Sequence, residues 1–225
     1  MKAIFHIIIG ESRVACLSFS QHNIMTGMAR KYIIGIDEVG RGPLAGPVTV
    51  VALALPRALR IKNNELGELK DSKKLSAKRR EKWETIVINN PTIFYETASV
   101  YPKMIDRINI SKAANLAATR AVTKLISNYQ FLISNLRIYL DGGLYLNQRS
   151  LNARTIVRGD EKFTCIKLAS IMAKVKRDRA MKRNNKKYPA YGFDDHKGYG
   201  TKKHILALKK HGMSPIHRKT FLKFL

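Results

Sequence analysis

Apolar and polar positions follow two periods along this chain, and together they predict strands covered by helices. Residues 32–37 and 48–55 are nearly continuous apolar runs rich in β-branched side chains, which is typical of buried strands. Residues 92–100 alternate as a third strand would, and 136–140 predict another. Because only a short glycine-containing loop joins the first two runs, we expect those strands to be antiparallel neighbours.

Helical spacing marks four other segments. A helix is predicted from the N-cap residue Ser76 to about Asn89, with Trp83, Ile86 and Val87 on its inner face. Further helices are predicted over 111–129, where alanines recur at helical spacing, over 161–184, and over 202–211. Strands and helices therefore alternate, which indicates one α/β domain with a helical C-terminal flank.

Charge narrows the class of partner. Lys and Arg number 42 and Asp and Glu number 16, so the formal net charge is +26 and the pI is about 10.3. Such an excess points to a polyanion, above all nucleic acid. Cys16 and Cys165 form no disulfide framework or zinc spacing, and we expect a reducing, cytoplasmic environment. No apolar stretch has the length of a membrane span, and no membrane partner is expected.

The first thirty residues form a separate segment. Residues 2–9 imitate the start of a secretory signal, but Glu11 and Arg13 interrupt the short apolar run, and 18–26 is polar. We expect residues 1–30 to be a loosely ordered extension rather than an export signal, or translation to start at Met25 or Met28.

Four acids stand at the ends of predicted elements. Asp37 and Glu38 end the first strand before a glycine-rich loop, Asp141 ends a later strand before two glycines, and Asp160 lies near the start of a helix. Clustered carboxylates repel one another unless a cation intervenes, and Mg²⁺ or Mn²⁺ prefers such oxygens. Two such ions could activate a water and stabilise the leaving oxygen in an in-line attack on phosphorus.

Each acid taken alone has a simpler explanation. An isolated Asp at a strand end is most often a turn former or helix cap, and Asp-Gly at 141–142 is a common turn signal. Two adjacent like charges after a buried strand are harder to explain structurally, because their burial costs stability. The combination of four acids with a basic surface predicts metal-dependent cleavage of a nucleic-acid backbone.

Several motifs, taken in order, resemble those of the bacterial ribonuclease HII family, the type 2 ribonucleases H. The matching segments are 35–48, 71–76, 105–110, 140–142, 159–160, 169–175 with 177–178, 191–193 and 196–200. The resemblance implies a ribonuclease H-like mixed sheet flanked by helices, with antiparallel first strands and parallel later ones. It also implies that Asp37, Glu38, Asp141 and Asp160 are the catalytic metal ligands.

The same resemblance implies a substrate. The family cleaves RNA in RNA–DNA hybrids and nicks DNA 5′ of an embedded ribonucleotide, leaving a 3′-hydroxyl and a 5′-phosphate. Gly40, Arg41 and Gly42 match the element whose backbone reads the ribose 2′-hydroxyl, and Tyr199 matches a tyrosine that stacks beneath the neighbouring deoxynucleotide sugar. We expect a monomer with a catalytic domain over 31–201 and a basic C-terminal segment over 202–225.

Other residues are interpreted more simply. The six histidines lack a paired arrangement suited to acid–base cleavage, and His196 is either a structural residue beside the site or part of it. Asp178 is a surface or ion-paired acid, and Cys165 is a small apolar filler. Asp71, Ser72 and Lys73 could touch phosphate or form a turn beside an N-cap. Arg158 and Lys167 depart from the family pattern.

The basic C-terminal segment and the rival functions remain open. The cations of 202–225, including Arg218 and Lys219, are either a solvated face or a clamp on the duplex backbone, and the clamp is favoured because Tyr199 lies just upstream. One rival is a non-catalytic basic RNA-binding protein, which needs the charge but not the acids. Another is a different nuclease of this fold, such as a ribonuclease HIII or a resolvase; Gly40-Arg41-Gly42 argues against ribonuclease HIII.

Overall fold

The structure, a computed structural model, describes residues 31–59, 61, 69, 72–148 and 151–223. The predictions made for residues 1–30 lie outside the described residues, as does Asp71.

A single mixed sheet of five strands organises the described chain. Its strands are β1 (Tyr32–Val39), β2 (Val48–Pro56), β3 (Phe94–Val100), β4 (Leu136–Asp141) and β5 (Ala153–Ile156). Their order in the sheet is β3-β2-β1-β4-β5. β2 pairs antiparallel with both β1 and β3, whereas β4 pairs parallel with both β1 and β5. This arrangement confirms the predicted fold class; the fifth strand was not predicted.

The helices agree with the periodicity except at two places. Ser76 caps the first helix as predicted, since its Oγ accepts a hydrogen bond from the Arg79 N–H at 3.3 Å. The predicted helix over 161–184 divides at Phe163, where the backbone is extended, and a helix before residue 110 was missed. None of the described helices is long and apolar enough to cross a lipid bilayer. They are α1 (Ala77–Asn89), α2 (Pro102–Ile108), α3 (Ile110–Tyr129), α4 (Gly159–Lys162), α5 (Thr164–Lys187), α6 (Phe193–His196) and α7 (Lys202–His211).

The two faces of the sheet are covered differently. Alternate strand residues point to opposite faces, so Ile34, Ile36 and Val50 pack with the alanine-rich face of α3, while Val51 and Leu53 pack with α1 and α5. At Gly35 a Cβ would lie only 2.2 Å from the carbonyl carbon of Cys165. The backbones of β1 and α5 are therefore in direct contact, which fixes the helix against the strand that carries Asp37 and Glu38.

The C-terminal residues pack against the loop that follows β1. Ala45 forms an isolated antiparallel bridge with His217, and the Gly46 N–H donates to the Ile216 carbonyl at 2.8 Å. Beneath this contact lies a small apolar cluster that includes Phe193 and Leu208. The C-terminal flank is thus joined to the loop at the edge of the sheet where the acids lie.

Candidate metal and nucleic-acid site

The sheet topology places the predicted acids at one edge. β1 and β4 are adjacent and parallel, so Asp37, Glu38 and Asp141 all lie at carboxyl ends of neighbouring strands. Asp160 lies in the first turn of α4, and Asp141 is joined to that turn: its Oδ1 accepts from the Gly159 N–H at 2.7 Å and the Asp160 N–H at 3.3 Å. The structure therefore brings together acids that lie up to 123 positions apart in the chain, from Asp37 to Asp160.

Asp37 is held as a buried acid. Only 5% of it is exposed, and this burial, with repulsion from Glu38 and Asp141, raises its pKa well above the usual range. Hydrogen bonds from the Ser170 hydroxyl and from the Glu38 N–H, the latter at 2.7 Å, oppose the rise in pKa by stabilising the carboxylate. These two donors also fix the orientation of the carboxylate.

Glu38 forms an ion pair with Arg41 through one of its two carboxylate oxygens. Burial raises its pKa, the attraction of Arg41 lowers it, and the repulsion of Asp141 raises it again. Arg41 Nε lies 2.6 Å from Glu38 Oε1, and its Nη2 donates to the Gly143 carbonyl at 2.6 Å. Glu38 Oε2 is buried, and no hydrogen-bond donor among the described residues reaches it. An acceptor buried in this way is costly unless a ligand completes it.

These residues fit a divalent cation whose coordination is shared with other ligands. Within the described part of the chain, no three acidic, histidine or cysteine side chains converge closely enough to enclose an ion by themselves. Mg²⁺ ordinarily uses one or two carboxylates, several waters and substrate phosphate rather than an all-protein cage. Glu38 Oε2, which no described residue hydrogen-bonds, and the burial and repulsion that raise the pKa of Asp37 both favour a cation here.

A short 3₁₀ turn, Ser72–Lys74, contacts two of the acids, Asp37 through Ser170 and Asp160 directly. Ser72 Oγ lies 2.8 Å from Ser170 Oγ, and Ser170 in turn bonds Asp37. Lys73 Nζ lies 3.5 Å from Asp160 Oδ2. The predicted turn is present, and buried Ser72 faces the protein interior, whereas the Lys73 side chain is exposed.

The loop predicted to read ribose lies against Tyr199. Gly40 has φ +93°, and a Cβ there would meet Arg177 Nε at 2.3 Å and the Pro47 carbonyl oxygen at 2.7 Å. Gly42 is exposed, and a Cβ there would lie 3.8 Å from Tyr199 Cε1. Tyr199 is itself 44% exposed. Among the described residues, apart from the chain neighbours of Gly42, no other atom would lie within 4 Å of that Cβ, so the space in front of Gly42, called the gap below, is open and is bordered by Tyr199. The Arg41 side chain joins this loop to Glu38.

Two arginines are buried where the sequence shows only an excess of cations. Arg218 was placed among the cations of the C-terminal basic segment, but it and Arg177 are both fully buried. Arg218 thus cannot contribute to a phosphate clamp. The spacing of Ser170, Ala173, Arg177 and Met181 is helical and could have revealed a second buried face of α5, but this face is polar in part and so lacks the usual apolar signal.

The histidines also differ from the prediction. His204 Nε2 lies 2.9 Å from His217 Nε2, and the rings of His196 and His204 stack 4.4 Å apart, so a paired arrangement does exist. All three are buried. His196 accepts from the Gly198 N–H and His204 Nδ1 lies 2.9 Å from the Tyr199 carbonyl oxygen, so the cluster supports the Tyr199 turn.

The remaining predictions have simple outcomes. Asp178 is ion-paired as predicted, with Lys174 at 2.8 Å. Cys165 is buried, as expected of an apolar filler, and burial raises its thiol pKa to about 12. Lys167 donates to the Leu69 carbonyl at 3.4 Å, and Arg158 adopts a left-handed conformation with φ 54° just before α4.

Comparisons with known proteins agree with this geometry. The family model described as Ribonuclease HII matches residues 34–224. Ribonuclease HII of Endomicrobium trichonymphae is 48% identical over 189 residues, covering 84% of this chain and 84% of the relative.

Solved structures share the fold. Ribonuclease H2 from Pyrococcus horikoshii OT3 matches with TM-score 0.65 at 26% identity and covers 84% of this chain and 93% of that chain. Bst-RNase HIII in complex with Mn²⁺ matches with TM-score 0.61 at 19% identity over 84% of this chain and 65% of that chain, a likeness in fold alone.

The family match decides between the alternatives left open by the sequence. It sets aside a non-catalytic RNA-binding protein, a ribonuclease HIII and a resolvase. Ribonucleases HII are endonucleases that hydrolyse phosphodiester bonds in the RNA of RNA–DNA hybrids and depend on a divalent metal ion. With the acids gathered beside the glycine loop and the match extending over residues 34–224, the chain belongs to the ribonuclease HII family.

Proposed function

We propose that this protein cleaves the RNA strand of RNA–DNA hybrids and incises duplex DNA 5′ of an embedded ribonucleotide, leaving a 3′-hydroxyl and a 5′-phosphate. The proposal rests on one observation, that two features of the site lie side by side. The strand-end acids Asp37, Glu38 and Asp141 lie beside a loop whose exposed Gly42 faces Tyr199. The net charge of +26 supplies the attraction for a phosphate backbone.

In this proposal Asp37, Glu38, Asp141 and Asp160 hold the divalent ion, Mg²⁺ or Mn²⁺. When bound, the ion supplies an activated water and charge stabilisation for the leaving oxygen. Ser170 and the Glu38 N–H keep the Asp37 carboxylate oriented, while Arg41 balances the charge of Glu38. Asp141 accepts the N–H groups at the start of α4, which holds Asp160 beside it.

Ribose recognition is assigned to the gap between Gly42 and Tyr199. A glycine lets the main chain approach a sugar closely, and the 2′-hydroxyl distinguishes RNA from DNA. The half-exposed ring of Tyr199 offers a flat surface for the neighbouring sugar. We further propose that the protein acts as a cytoplasmic monomer, with residues 31–201 as the catalytic domain and the exposed cations of 202–225 contacting the duplex.

The decisive assay compares two duplexes of the same sequence, one with a single ribonucleotide and one of DNA alone. We expect incision of the first, 5′ of the ribonucleotide, in the presence of Mg²⁺ or Mn²⁺ and not in EDTA. Equal cutting of both duplexes, or cutting of neither, contradicts the proposal.

Replacing Asp37 by Asn separates catalysis from binding. We expect cleavage to fall by more than the roughly 10–100-fold that loss of an outer-shell partner of a metal ligand costs, while hybrid affinity is retained.

The same variant tests the charge of Asp37 in the metal-free protein. Since burial and repulsion raise the pKa of Asp37, its charge destabilises the metal-free protein at neutral pH. Asp37→Asn should therefore raise the melting temperature in EDTA at pH 7, by about 2–4 °C for each ~1 kcal/mol gained, and not below pH ~3.8.

The matched control is Asp195→Asn, which removes an exposed acid paired with Lys203. It should change neither cleavage nor melting temperature appreciably. Retained cleavage by the Asp37→Asn variant would remove this residue from the proposed metal site.

A further inference from the structure

The carbonyl groups of the loop 40–47 converge on two buried guanidinium groups. Arg218 donates from Nη2 to the Gly40 carbonyl at 2.6 Å, from Nη1 to the Arg41 carbonyl at 2.8 Å, and from Nε and Nη2 to the Gly46 carbonyl at 3.0 and 2.9 Å. Arg177 donates to the carbonyls of Ala45, at 3.2 Å, and Lys197, at 2.9 Å. Both side chains are fully buried.

Burying these two charges costs folding free energy, so the hydrogen bonds that compensate for it indicate what the two arginines do. A guanidinium removed from water must be fully hydrogen-bonded to be tolerated, and here the bonds go to main-chain carbonyls. The planar fork of Arg218 reaches three carbonyls in a fixed relative orientation, which a lysine cannot reproduce. Arg218 thus fixes the conformation of the loop, and Arg177 joins the loop to the turn before Tyr199.

The direction of these bonds decides what the loop presents to a ligand. In a trans peptide the C=O and the following N–H point in opposite directions, and the described chain contains no cis peptide bond. Because the Gly40 and Arg41 carbonyls turn inward to Arg218, the N–H groups of Arg41 and Gly42 turn away from it. Gly42 is exposed beside Tyr199, so its N–H is directed toward the open side of the loop.

We propose that Arg218, assisted by Arg177, is a positioning residue for ribose selection: it holds two loop carbonyls inward so that the following N–H groups are presented in the gap beside Tyr199. This inference rests on the proposed function and deepens it. The C-terminal segment then contributes to selectivity by fixing the loop, independently of any contact with phosphate.

The test uses the full chain and the variants Arg218→Lys and Arg218→Gln. Affinities for a duplex with one ribonucleotide and for the matching all-DNA duplex are measured in Ca²⁺ at several salt concentrations, and cleavage of the first duplex is measured in Mg²⁺. We expect both variants to lose the preference for the ribonucleotide duplex and to cleave it roughly tenfold more slowly, as for one lost hydrogen bond. Affinity for the all-DNA duplex and its salt dependence should not change.

The control is Lys219→Gln, which removes an adjacent but exposed cation. It should preserve the preference for ribonucleotide, whatever it does to overall affinity.

Arg218→Lys decides the case if Arg218→Gln fails to fold, because it retains the buried charge but cannot bridge three carbonyls. Full preference in Arg218→Lys overturns the inference, as does a weaker salt dependence on both duplexes, which indicates a phosphate contact. If the unmodified protein shows no ribonucleotide-dependent incision, the proposed function fails and this inference with it.

Discussion

At the level of single residues, the surroundings of Asp37 and Glu38 distinguish them from an ordinary surface pair. Asp37 is nearly fully buried, and one carboxylate oxygen of Glu38 has no hydrogen-bond partner in the part of the chain that the structure describes. Two adjacent buried carboxylates reduce stability, and local destabilisation of this kind is commonly found where a ligand binds. In the loop that follows, Gly40 is required for packing, whereas exposed Gly42 is proposed to contact the substrate.

Gly40 and Gly42 make a matched pair for testing this division. Gly40→Ala should destabilise the protein by roughly 1–3 kcal/mol, because its φ is +93° and the new Cβ would clash with Arg177 and the Pro47 carbonyl. Gly42→Ala should change the free energy of unfolding by less than about 0.5 kcal/mol, because its Cβ meets only Tyr199 at 3.8 Å. Urea denaturation measures both variants.

For Gly42→Ala we expect cleavage to be reduced although stability is nearly unchanged. A methyl group in the gap beside Tyr199 obstructs a sugar, so incision at a single ribonucleotide should fall at least roughly tenfold despite normal stability. Unimpaired incision by Gly42→Ala would mean that this gap is not where the ribose binds.

At the level of elements, helix α5 does most to position the site. Its apolar residues cover the sheet, Ser170 bonds Asp37, and Arg177 holds the loop and the turn before Tyr199. One helix can do all three because its residues face the sheet along its length at positions three or four apart. Its distance from β1 is therefore important for both folding and chemistry.

Gly35→Ala tests that distance. The new Cβ would lie 2.2 Å from the Cys165 carbonyl carbon and 2.4 Å from the Ile166 nitrogen, which are backbone atoms that cannot rotate away. We expect a loss of roughly 2–3 kcal/mol in the free energy of unfolding, together with reduced cleavage as α5 shifts. Gly142→Ala is the control for stability, since its nearest contact is an ordinary 3.5 Å. Equal denaturation midpoints for the two variants would contradict the close packing of β1 and α5.

At the level of the whole molecule, a buried histidine cluster joins the C-terminal residues to the Tyr199 turn. His217 bonds His204 and Ser214, and the rings of Tyr191 and Phe193 pack around it. Burial, followed by repulsion from His204, lowers the pKa of His217 to about 4, and burial also lowers that of His204. The cluster must therefore remain neutral for the C-terminal flank to stay in place.

This predicts acid sensitivity with a defined sign. Between pH 6.5, the usual value, and about 4, the unfolded chain binds a proton at His217 that the folded protein does not. Stability should thus be fully present above pH ~6.5 and fall by up to about 1.4 kcal/mol per pH unit as the pH is lowered toward 4. Urea denaturation of the protein and of His217→Gln across this range measures the effect. The variant should show a shallower pH dependence, and an unchanged pH dependence would remove His217 as its cause.

The sequence by itself determined most of the elements and the residue types from which the proposed site is built, but not β5, α2 or the break at Phe163. Strand ends bearing Asp37 and Glu38 or Asp141, the cap at Ser76 and the helix Lys202–His211 depend on local patterns of side chains, which can be recognised without a fold. The glycine loop and the four acids were likewise recognisable, because their residue types and order are specific. Their gathering at one edge required the parallel pairing of β1 and β4, which was expected from the family resemblance rather than from periodicity.

Only the tertiary structure decided which cations are buried and which face solvent. Arg177 and Arg218 stand among many exposed lysines and arginines, and no local pattern separates them, because their partners are carbonyls up to 178 residues away in sequence. The same holds for the contact between His204 and His217 and for the support of Asp37 by Ser170. These contacts form where the C-terminal flank and α5 meet the loop after β1, so their physical cause is long-range packing, which neither composition nor spacing contains.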